Sequence, residues 1–453
     1  MAVGAPTDEV GPRQGRWVPQ WWSRSGRWAY ALLPPVCTLA ITLWGLGAVP
    51  LWLDELVTLD TLQKGSSSAL ALDSQHLPFY AWMELWSAGG GAGSDGWLRL
   101  PSAVFMAIAS LLVAVTANQV AGRRAGLAAG LLFAVVPGVS RFGQEARSPA
   151  MITALAAGST LVLVLALRKP TAWRPWISYW ALLVPLGRLN PVTIALVAGH
   201  AVIVAREVRS LRASRPWLAA ASLGVLPGVI FGLYNARLVS FISWIPRPTV
   251  HDAAQQLVSL PVSAGFWAAV PLAVGAALVA LALTDRTGTW WLVAYGVPVG
   301  LVWLASFGPT SLWLARYLVP FSPLLAVAAG TALRRASPLR IVSMTSVLFL
   351  IALPALVEAR QPGSRGDDVA PDYRAAAAIL VAEAQPGDTF LGAGHWLDHY
   401  QGLGVSRYLP RGTMLPVTSD VGPRVWSIGD AHACSVERIW ALPGAPLRLC
   451  ETP

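Results

Sequence analysis

The stretch that decides the fold runs from residue 28 to residue 60 and reads WAYALLPPVCTLAITLWGLGAVPLWLDELVTLD. Its first part, residues 28–49, is apolar and about as long as a helix that crosses a bilayer, which needs about 20 residues. Two carboxylates, Asp54 and Glu55, follow directly. Carboxylates next to hydrocarbon are costly unless they face a water-filled functional cavity. The stretch therefore predicts a membrane-spanning helix with a functional site at its end.

The composition agrees with a membrane protein. Of 453 residues, 55% are hydrophobic and 12% are charged, whereas about 25% are charged in a soluble domain. The net charge of +10 comes from arginines in short runs between apolar segments, which are topology signals rather than a nucleic-acid surface. Lysine occurs only at Lys64 and Lys169, a bias that we interpret as codon usage in a high-GC, actinobacterial genome.

Apolar segments recur along most of the chain and predict an α-helical polytopic bundle of about eleven spans. Proline interrupts a helical ladder, so the two segments around Asn190 and Pro191 are either two spans or one broken helix. The predicted spans are 28–49, 97–120, 124–140, 148–167, 175–188, 190–205, 217–236, 262–283, 289–307, 314–333 and 340–357.

The arginine runs predict the orientation, because basic residues of short loops are retained on the cytoplasmic side. We expect a multi-pass protein of the cell membrane whose basic tail, residues 1–27, is cytoplasmic and whose transmembrane domain covers 28–358. The first span lacks a small-residue cleavage site and is interpreted as an uncleaved anchor. The loop 50–96 and the tail 359–453 are then extracytoplasmic.

Both outside segments carry secondary-structure signals. LDELVTLDTLQ and HLPFYAWMELW, in the loop 50–96, have the spacing of short helices that lie along the membrane surface. The tail predicts a small α/β domain, with a helix from Asp372 to the Pro386-Gly387 turn, a short strand after it, and further strands at VWSIG and RIWAL.

The cysteines are few. Cys434 and Cys450 lie in the exported tail, where an oxidising compartment favours a disulfide between them; the alternative is two unrelated thiols. Cys37, within the first span, is interpreted as a small apolar residue. No spacing of cysteine or histidine is typical of a zinc site.

Five segments in order resemble a known family: WLDEL, HLPFYAWMELW, LRLPSAVF, RFGQEARSPAM and ARYLVPFSPLLA. Together they are similar to the GT-C polyprenol-phosphate-sugar-dependent glycosyltransferases, in the family 39-like group of protein O-mannosyltransferases and lipid A aminoarabinose transferases. The resemblance covers the first 170 residues and the late RYLVP segment. It implies an inverting membrane enzyme that takes a sugar from a polyprenyl-phosphate donor, with a GT-C-like fold.

The resemblance assigns catalysis to the first outer loop. Asp54 matches the family's catalytic aspartate and is expected to deprotonate the acceptor hydroxyl; the alternative is a helix cap. Glu55 either shares that work or orients the acceptor or a nearby arginine. These two carboxylates can also hold a divalent metal ion, but without a clear ligand set they do not establish one.

Cations are expected to hold the donor phosphate. Arg147 is one candidate, and Glu145 beside it is expected either to hold that arginine or to contact the sugar; a solvated salt bridge is the alternative. Pro149 stands where relatives commonly carry tyrosine. Arg316 is another candidate, since an arginine at that depth needs an anionic partner, with snorkelling to the interface as the alternative. His76 either contacts sugar or acceptor or is a polar residue at a helix start.

A weaker signal lies in SWIPRPTVHD, whose prolines favour an extended segment. Trp244 and Arg247 in it are expected to line the cavity entrance, although interfacial aromatic residues are common without a ligand.

Two other classes of protein share many spans. A lipid flippase or transporter typically has ionisable residues at the bilayer midplane and internal repeats, whereas the charges here gather at one face. An O-antigen-ligase-like enzyme concentrates its residues in a late outer loop. We therefore expect transfer of mannose or arabinose to a cell-envelope glycan, lipid or protein, in contact with membrane lipids and without nucleic acid.

Overall fold

The structure is a computed structural model of the chain. It describes residues 20–69, 74–90, 93–208, 210–235, 242–249, 269–363, 370–391, 396–410, 413, 417–418, 424–428 and 436–451.

The described chain is helical up to residue 358 and mixed α/β beyond it. The helices of the first half are α1 (Gln20–Leu43), α2 (Leu53–Lys64), α3 (Leu77–Ala88), α4 (Asp95–Ala121), α5 (Arg123–Ala134), α6 (Pro137–Gly143), α7 (Pro149–Arg168), α8 (Trp173–Leu189), α9 (Leu196–Glu207) and α10 (Leu211–Asn235). Those of the second half are α11 (Ala269–Leu283), α12 (Arg286–Ala305), α13 (Ala315–Leu318), α14 (Ser322–Ala332), α15 (Pro338–Glu358), α16 (Tyr373–Glu383) and α17 (Trp396–Tyr408).

The predicted count of eleven spans is not confirmed. Among the described residues, five helices are long and apolar enough to cross a membrane, namely α4, α7, α10, α12 and α15, and α5 with α6 make a sixth if their 63° bend lies within one span. Helices occupy parts of the other predicted positions, and 3₁₀ turns that contain proline interrupt two of them. A 3₁₀ turn at Pro191–Ala195 follows the end of α8, and another at Val319–Phe321 divides the predicted span 314–333.

Small residues let the helices approach closely. A Cβ at Gly330 of α14 would lie 2.5 Å from the Cβ of Ala129 on α5, and Gly187 of α8 meets Gly228 of α10 backbone to backbone. Close contacts of this kind are the usual basis of helix association in lipid, where burial of apolar surface gives no driving force between helices.

The two ends of the bundle carry different residues. Gln119, Arg206 and Thr287 line one cavity at the far end of α4, as expected for loops predicted on the same side. Asp54 lies toward the other end, near Asp95 at the start of α4, and the C-terminal domain packs there as well. Within the described residues, the loop 50–96 and the tail therefore contact each other, while the side of the membrane on which they lie remains a prediction.

Most predicted elements outside the bundle are present. α2 and α3 occupy the two expected surface segments, and α16 begins after Asp372, whose side chain caps it. The described strands of the tail are β1 (Thr389–Leu391), β2 (Val417–Thr418), β3 (Arg424–Ile428), β4 (Val436–Trp440) and β5 (Leu447–Glu451). They form one sheet of order β2-β1-β3-β5-β4, in which β2, β1 and β3 are parallel and β3, β5 and β4 are antiparallel.

Two features of the tail differ from expectation or remain open. Helix α17 was not predicted, because its residues mix glycine, aromatic and charged side chains without a clear apolar stripe. Cys450 is buried on β5 and is not bridged within the described residues. Cys434 lies outside the described residues, so the disulfide remains a prediction.

Candidate active site

Asp54 is not the cap of the helix on which it lies. Trp52 holds the N-cap position of α2, and the reciprocal backbone contact of the cap is made by Glu55, whose Oε2 accepts from the Trp52 N–H at 3.3 Å. This is the role of the glutamate in a capping box. Glu55 therefore makes the capping contact that was the alternative role of Asp54, and the ion pairs of Asp54 are with residues outside α2.

Asp54 lies between two arginines that come from distant parts of the chain. Its Oδ2 accepts a hydrogen bond from Nη1 of Arg316 and lies 3.8 Å from Nε of Arg147. The side chains of Asp54 and Arg316 are each 20% exposed and that of Arg147 is 11% exposed. Two of the predicted phosphate-binding residues are thus brought to the predicted base, in a place that keeps some contact with solvent.

Glu55 points in the opposite direction and is completely buried. It forms a two-pronged ion pair with Arg99, whose Nε donates to Oε1 at 2.7 Å and whose Nη2 donates to Oε2 at 2.6 Å. Bidentate pairs of this kind fix geometry as well as charge. This burial and the pair with Arg99 favour the alternative in which Glu55 supports a nearby arginine; its role in catalysis stays a prediction.

The segment that carries Arg147 is fixed by contacts to α1 and α2. Gln144 Nε2 donates to the carbonyls at the end of α1, those of Thr42 at 2.9 Å and Trp44 at 2.7 Å. Ala146 donates its N–H to Glu55 Oε1 at 2.8 Å and accepts from the Thr58 hydroxyl at 2.9 Å. Glu55 therefore binds both α4 and this segment, and so sets the place of Arg147 relative to Asp54.

Glu145 pairs with a different arginine, and its predicted contact with Arg147 stays a prediction. It is buried and pairs with Arg141, one turn earlier on α6. Arg141 lies with its guanidinium carbon 5.7 Å from the ring centroid of Trp52, and Arg316 lies 5.9 Å from the same ring. The indole thus has two guanidinium groups near it, a favourable cation–π arrangement. The i to i+4 spacing of Arg141 and Glu145 was a signal in the sequence that could have found this pair.

Of the two predicted entrance residues, Trp244 lies at the site and Arg247 has a different contact. The guanidinium carbon of Arg316 is 5.9 Å from the ring of Trp244, which is 46% exposed, so the predicted entrance tryptophan does lie beside a candidate phosphate ligand. Arg247 instead donates to the carbonyl of Gly308 at 3.3 Å. Its role at a cavity entrance remains a prediction.

His76 contacts Tyr80, which in turn contacts Arg147 of the site. It is the residue before α3, and its ring lies 6.2 Å from that of Tyr80 in an edge-to-face arrangement. Arg147 donates from Nη1 to the Tyr80 hydroxyl at 2.6 Å. Tyr80 is therefore a residue of the site that sequence reasoning missed, although it lay within the quoted HLPFYAWMELW segment.

The residues present do not fit a bound divalent cation. Among the described residues no group of three histidine, cysteine or acidic side chains is gathered in one place. The two adjacent carboxylates also diverge, since Glu55 is used by Arg99 and Asp54 lies between guanidinium groups, whose positive charge opposes a cation.

Comparison with known proteins points to one family. Residues 75–231 match the family model of the dolichyl-phosphate-mannose-protein mannosyltransferases. No curated protein matches the chain in sequence.

The fold is similar to that of ArnT from Cupriavidus metallidurans. The structure of ArnT in the apo state is 13% identical, with 94% of this chain and 98% of that chain covered and a TM-score of 0.63. The structure of ArnT bound to undecaprenyl phosphate is 12% identical, with 93% and 98% covered and a TM-score of 0.56. At this identity the likeness shows the fold, which is a multi-pass membrane fold with a small domain on one face.

Proposed function

We propose that the chain is a membrane glycosyltransferase of the GT-C type and that it moves mannose or arabinose from a polyprenyl-phosphate donor to a cell-envelope acceptor. The observation that carries the proposal is the position of Asp54 between Arg147 and Arg316. A base and two anion-binding groups at one point are what displacement of a phosphate from an anomeric carbon requires.

In the proposed reaction, Asp54 accepts the proton of the acceptor hydroxyl while the oxygen attacks the anomeric carbon. The bond from that carbon to the phosphate oxygen breaks, and its electron pair stays on the polyprenyl phosphate. Attack opposite the leaving phosphate inverts the anomeric configuration. Arg147 and Arg316 stabilise the charge that develops on the leaving group. A donor phosphate would also compete with Asp54 for both guanidinium groups, which would release the carboxylate to act as base.

The donor class can be tested with purified protein in detergent. We expect label to leave polyprenyl-phosphate mannose or polyprenyl-phosphate arabinose and to appear in acceptor, and we expect no transfer from the matching nucleotide sugar. Transfer from the nucleotide sugar alone, or release from none of the three donors, would contradict the proposal.

The same experiment separates the enzyme from a flippase or transporter of envelope precursors, which is the alternative proposal. A flippase moves lipid between leaflets and changes no covalent bond, so it has no measurable activity in detergent micelles. A glycosyltransferase does, because its donor and acceptor can meet in a micelle. Translocation of labelled lipid in sealed vesicles, without any sugar transfer in micelles, would favour the flippase.

Arg316 gives a sharper test of donor binding. Hydrogen bonds to charged groups contribute about 1.5–3 kcal/mol, so Arg316→Gln is expected to raise the donor KM by about 10- to 100-fold. Arg334→Gln is a matched control, since Arg334 also pairs with an aspartate, Asp285, but at the opposite end of the bundle. Equal donor KM values for the two variants would remove Arg316 from the phosphate site.

A further inference from the structure

The connection between α1 and α2, residues 46–51, has its carbonyl groups held by two arginines from different domains. Arg99 of α4 donates to three of them, on Leu46 (3.1 Å), Val49 (2.7 Å) and Pro50 (3.0 Å). Arg374 of the C-terminal domain donates to the two carbonyls between them, those of Gly47 and Ala48, both at 2.8 Å. Five successive carbonyls thus accept from guanidinium groups, in a segment that forms no helix or strand of its own.

Asp95, the first residue of α4, fixes the C-terminal domain on this connection. The carboxylate is 5% exposed and accepts from Arg374 Nη2 at 2.6 Å, from Arg407 Nε at 2.8 Å and from the Tyr408 hydroxyl at 2.6 Å. All three donors belong to the C-terminal domain. Burial, and then the charge of Asp95, raise the pKa of Tyr408, so the phenol keeps the proton that it donates.

Tyr408 extends this contact to the catalytic helix. Its oxygen accepts from the N–H of Leu51 at 2.9 Å, three residues before Asp54. Helix α17, which ends at Tyr408, packs along α2, and His399 Nε2 on it lies 3.5 Å from Asp60 Oδ1. The C-terminal domain therefore contacts the catalytic helix on its side and at the residues that lead into it.

We propose that the C-terminal domain belongs to the catalytic machinery, with Tyr408, Arg374 and Arg407 acting as positioning residues that fix Asp54 through the connection 46–51. This inference rests on the function proposed above. A base has to be held near its productive geometry, and a displacement of about 1 Å can cost about 100-fold in rate. Arg99, which is paired with Glu55, holds the same connection from the side of the helical bundle, so the C-terminal domain supplies the other half of its support.

The test uses the full-length enzyme with two substitutions that keep side-chain shape, Tyr408→Phe and Asp95→Asn. We expect kcat, at a temperature where the variants remain folded, to fall by about 10- to 100-fold in each, with a donor KM within about twofold of the wild type. The melting temperature in detergent is expected to be slightly lower for Tyr408→Phe and lower for Asp95→Asn, which leaves Arg374 and Arg407 without their buried carboxylate. Asp95→Glu keeps the charge and is expected to recover part of the lost kcat. The matched control is Glu437→Gln, which removes the partner of Arg448 on the sheet of the same domain and should leave kcat unchanged.

The outcomes separate this inference from the proposed function. Wild-type kcat in both Tyr408→Phe and Asp95→Asn overturns the positioning role, while sugar transfer by the wild-type enzyme still supports the proposed function. A fall in kcat that is accompanied by an equal fall in folded protein also overturns it, because the contacts would then serve stability alone. If wild-type enzyme transfers no sugar from any polyprenyl-phosphate donor, it is the proposed function that fails.

Discussion

Asp54→Asn is expected to lower the rate of sugar transfer by about 10²- to 10⁴-fold, the usual contribution of a general base. The amide keeps the shape of the side chain but cannot accept the proton of the acceptor hydroxyl. It also removes the negative charge that pairs with Arg316 and lies 3.8 Å from Arg147. A donor phosphate would then have no competitor for these guanidinium groups, so we expect donor affinity to be retained or to rise.

The measurement is single-turnover transfer from labelled donor, with donor binding determined separately by equilibrium binding. Glu84→Gln is a suitable control, because Glu84 is a carboxylate of the same outer loop whose Oε2 accepts from the backbone of Ser66. Transfer by Asp54→Asn at the wild-type rate would remove Asp54 as the base. Loss of donor binding together with transfer would instead make Asp54 a residue that organises the phosphate site.

The sequence located α2, the helix to which we assign catalysis, because its signal is local. Asp54 and Glu55 are adjacent, follow an apolar segment and begin a short helix, so their cost near hydrocarbon could be recognised without any partner. Their different roles could not be predicted. Arg99 is 44 residues from Glu55, and Arg316 is 262 residues from Asp54; only packing of the helices decides which arginine each carboxylate meets.

The same reasoning explains what was missed in the fold. Hydropathy detects apolar residues well but does not measure how long a helix continues, so segments divided by Pro191 or Pro320 were counted as full spans. The contacts of Asp95 come from residues 279 to 313 positions away. A lone aspartate after a glycine-rich linker has no pattern that predicts an ion pair with a separate domain.

Glu55→Gln is expected to have the largest effect on stability, about 3–5 kcal/mol, which is the usual cost of leaving a buried charge without its partner. Four donors surround this carboxylate, namely Nε and Nη2 of Arg99 and the N–H groups of Trp52 and Ala146. A glutamine would present its own NH₂ group to two of them. The NH₂ group would therefore repel N–H groups whose hydrogen bonds the carboxylate accepts. Thermal unfolding of purified protein in one detergent measures the difference, with Glu207→Gln, the same substitution in a more exposed ion pair, as the control.

The double variant Glu55→Met with Arg99→Met distinguishes this site from an ordinary buried ion pair. Replacing both members of a buried pair with apolar residues is often neutral or stabilising. Here we expect no recovery, because Arg99 also donates to three carbonyls of the connection 46–51, and each would be left buried without a donor at a cost of about 1–3 kcal/mol. A double variant as stable as the wild type would show that the carbonyls find other donors. Arg99 would then serve only to neutralise Glu55, and the arginine support of the catalytic helix would come from the C-terminal domain alone.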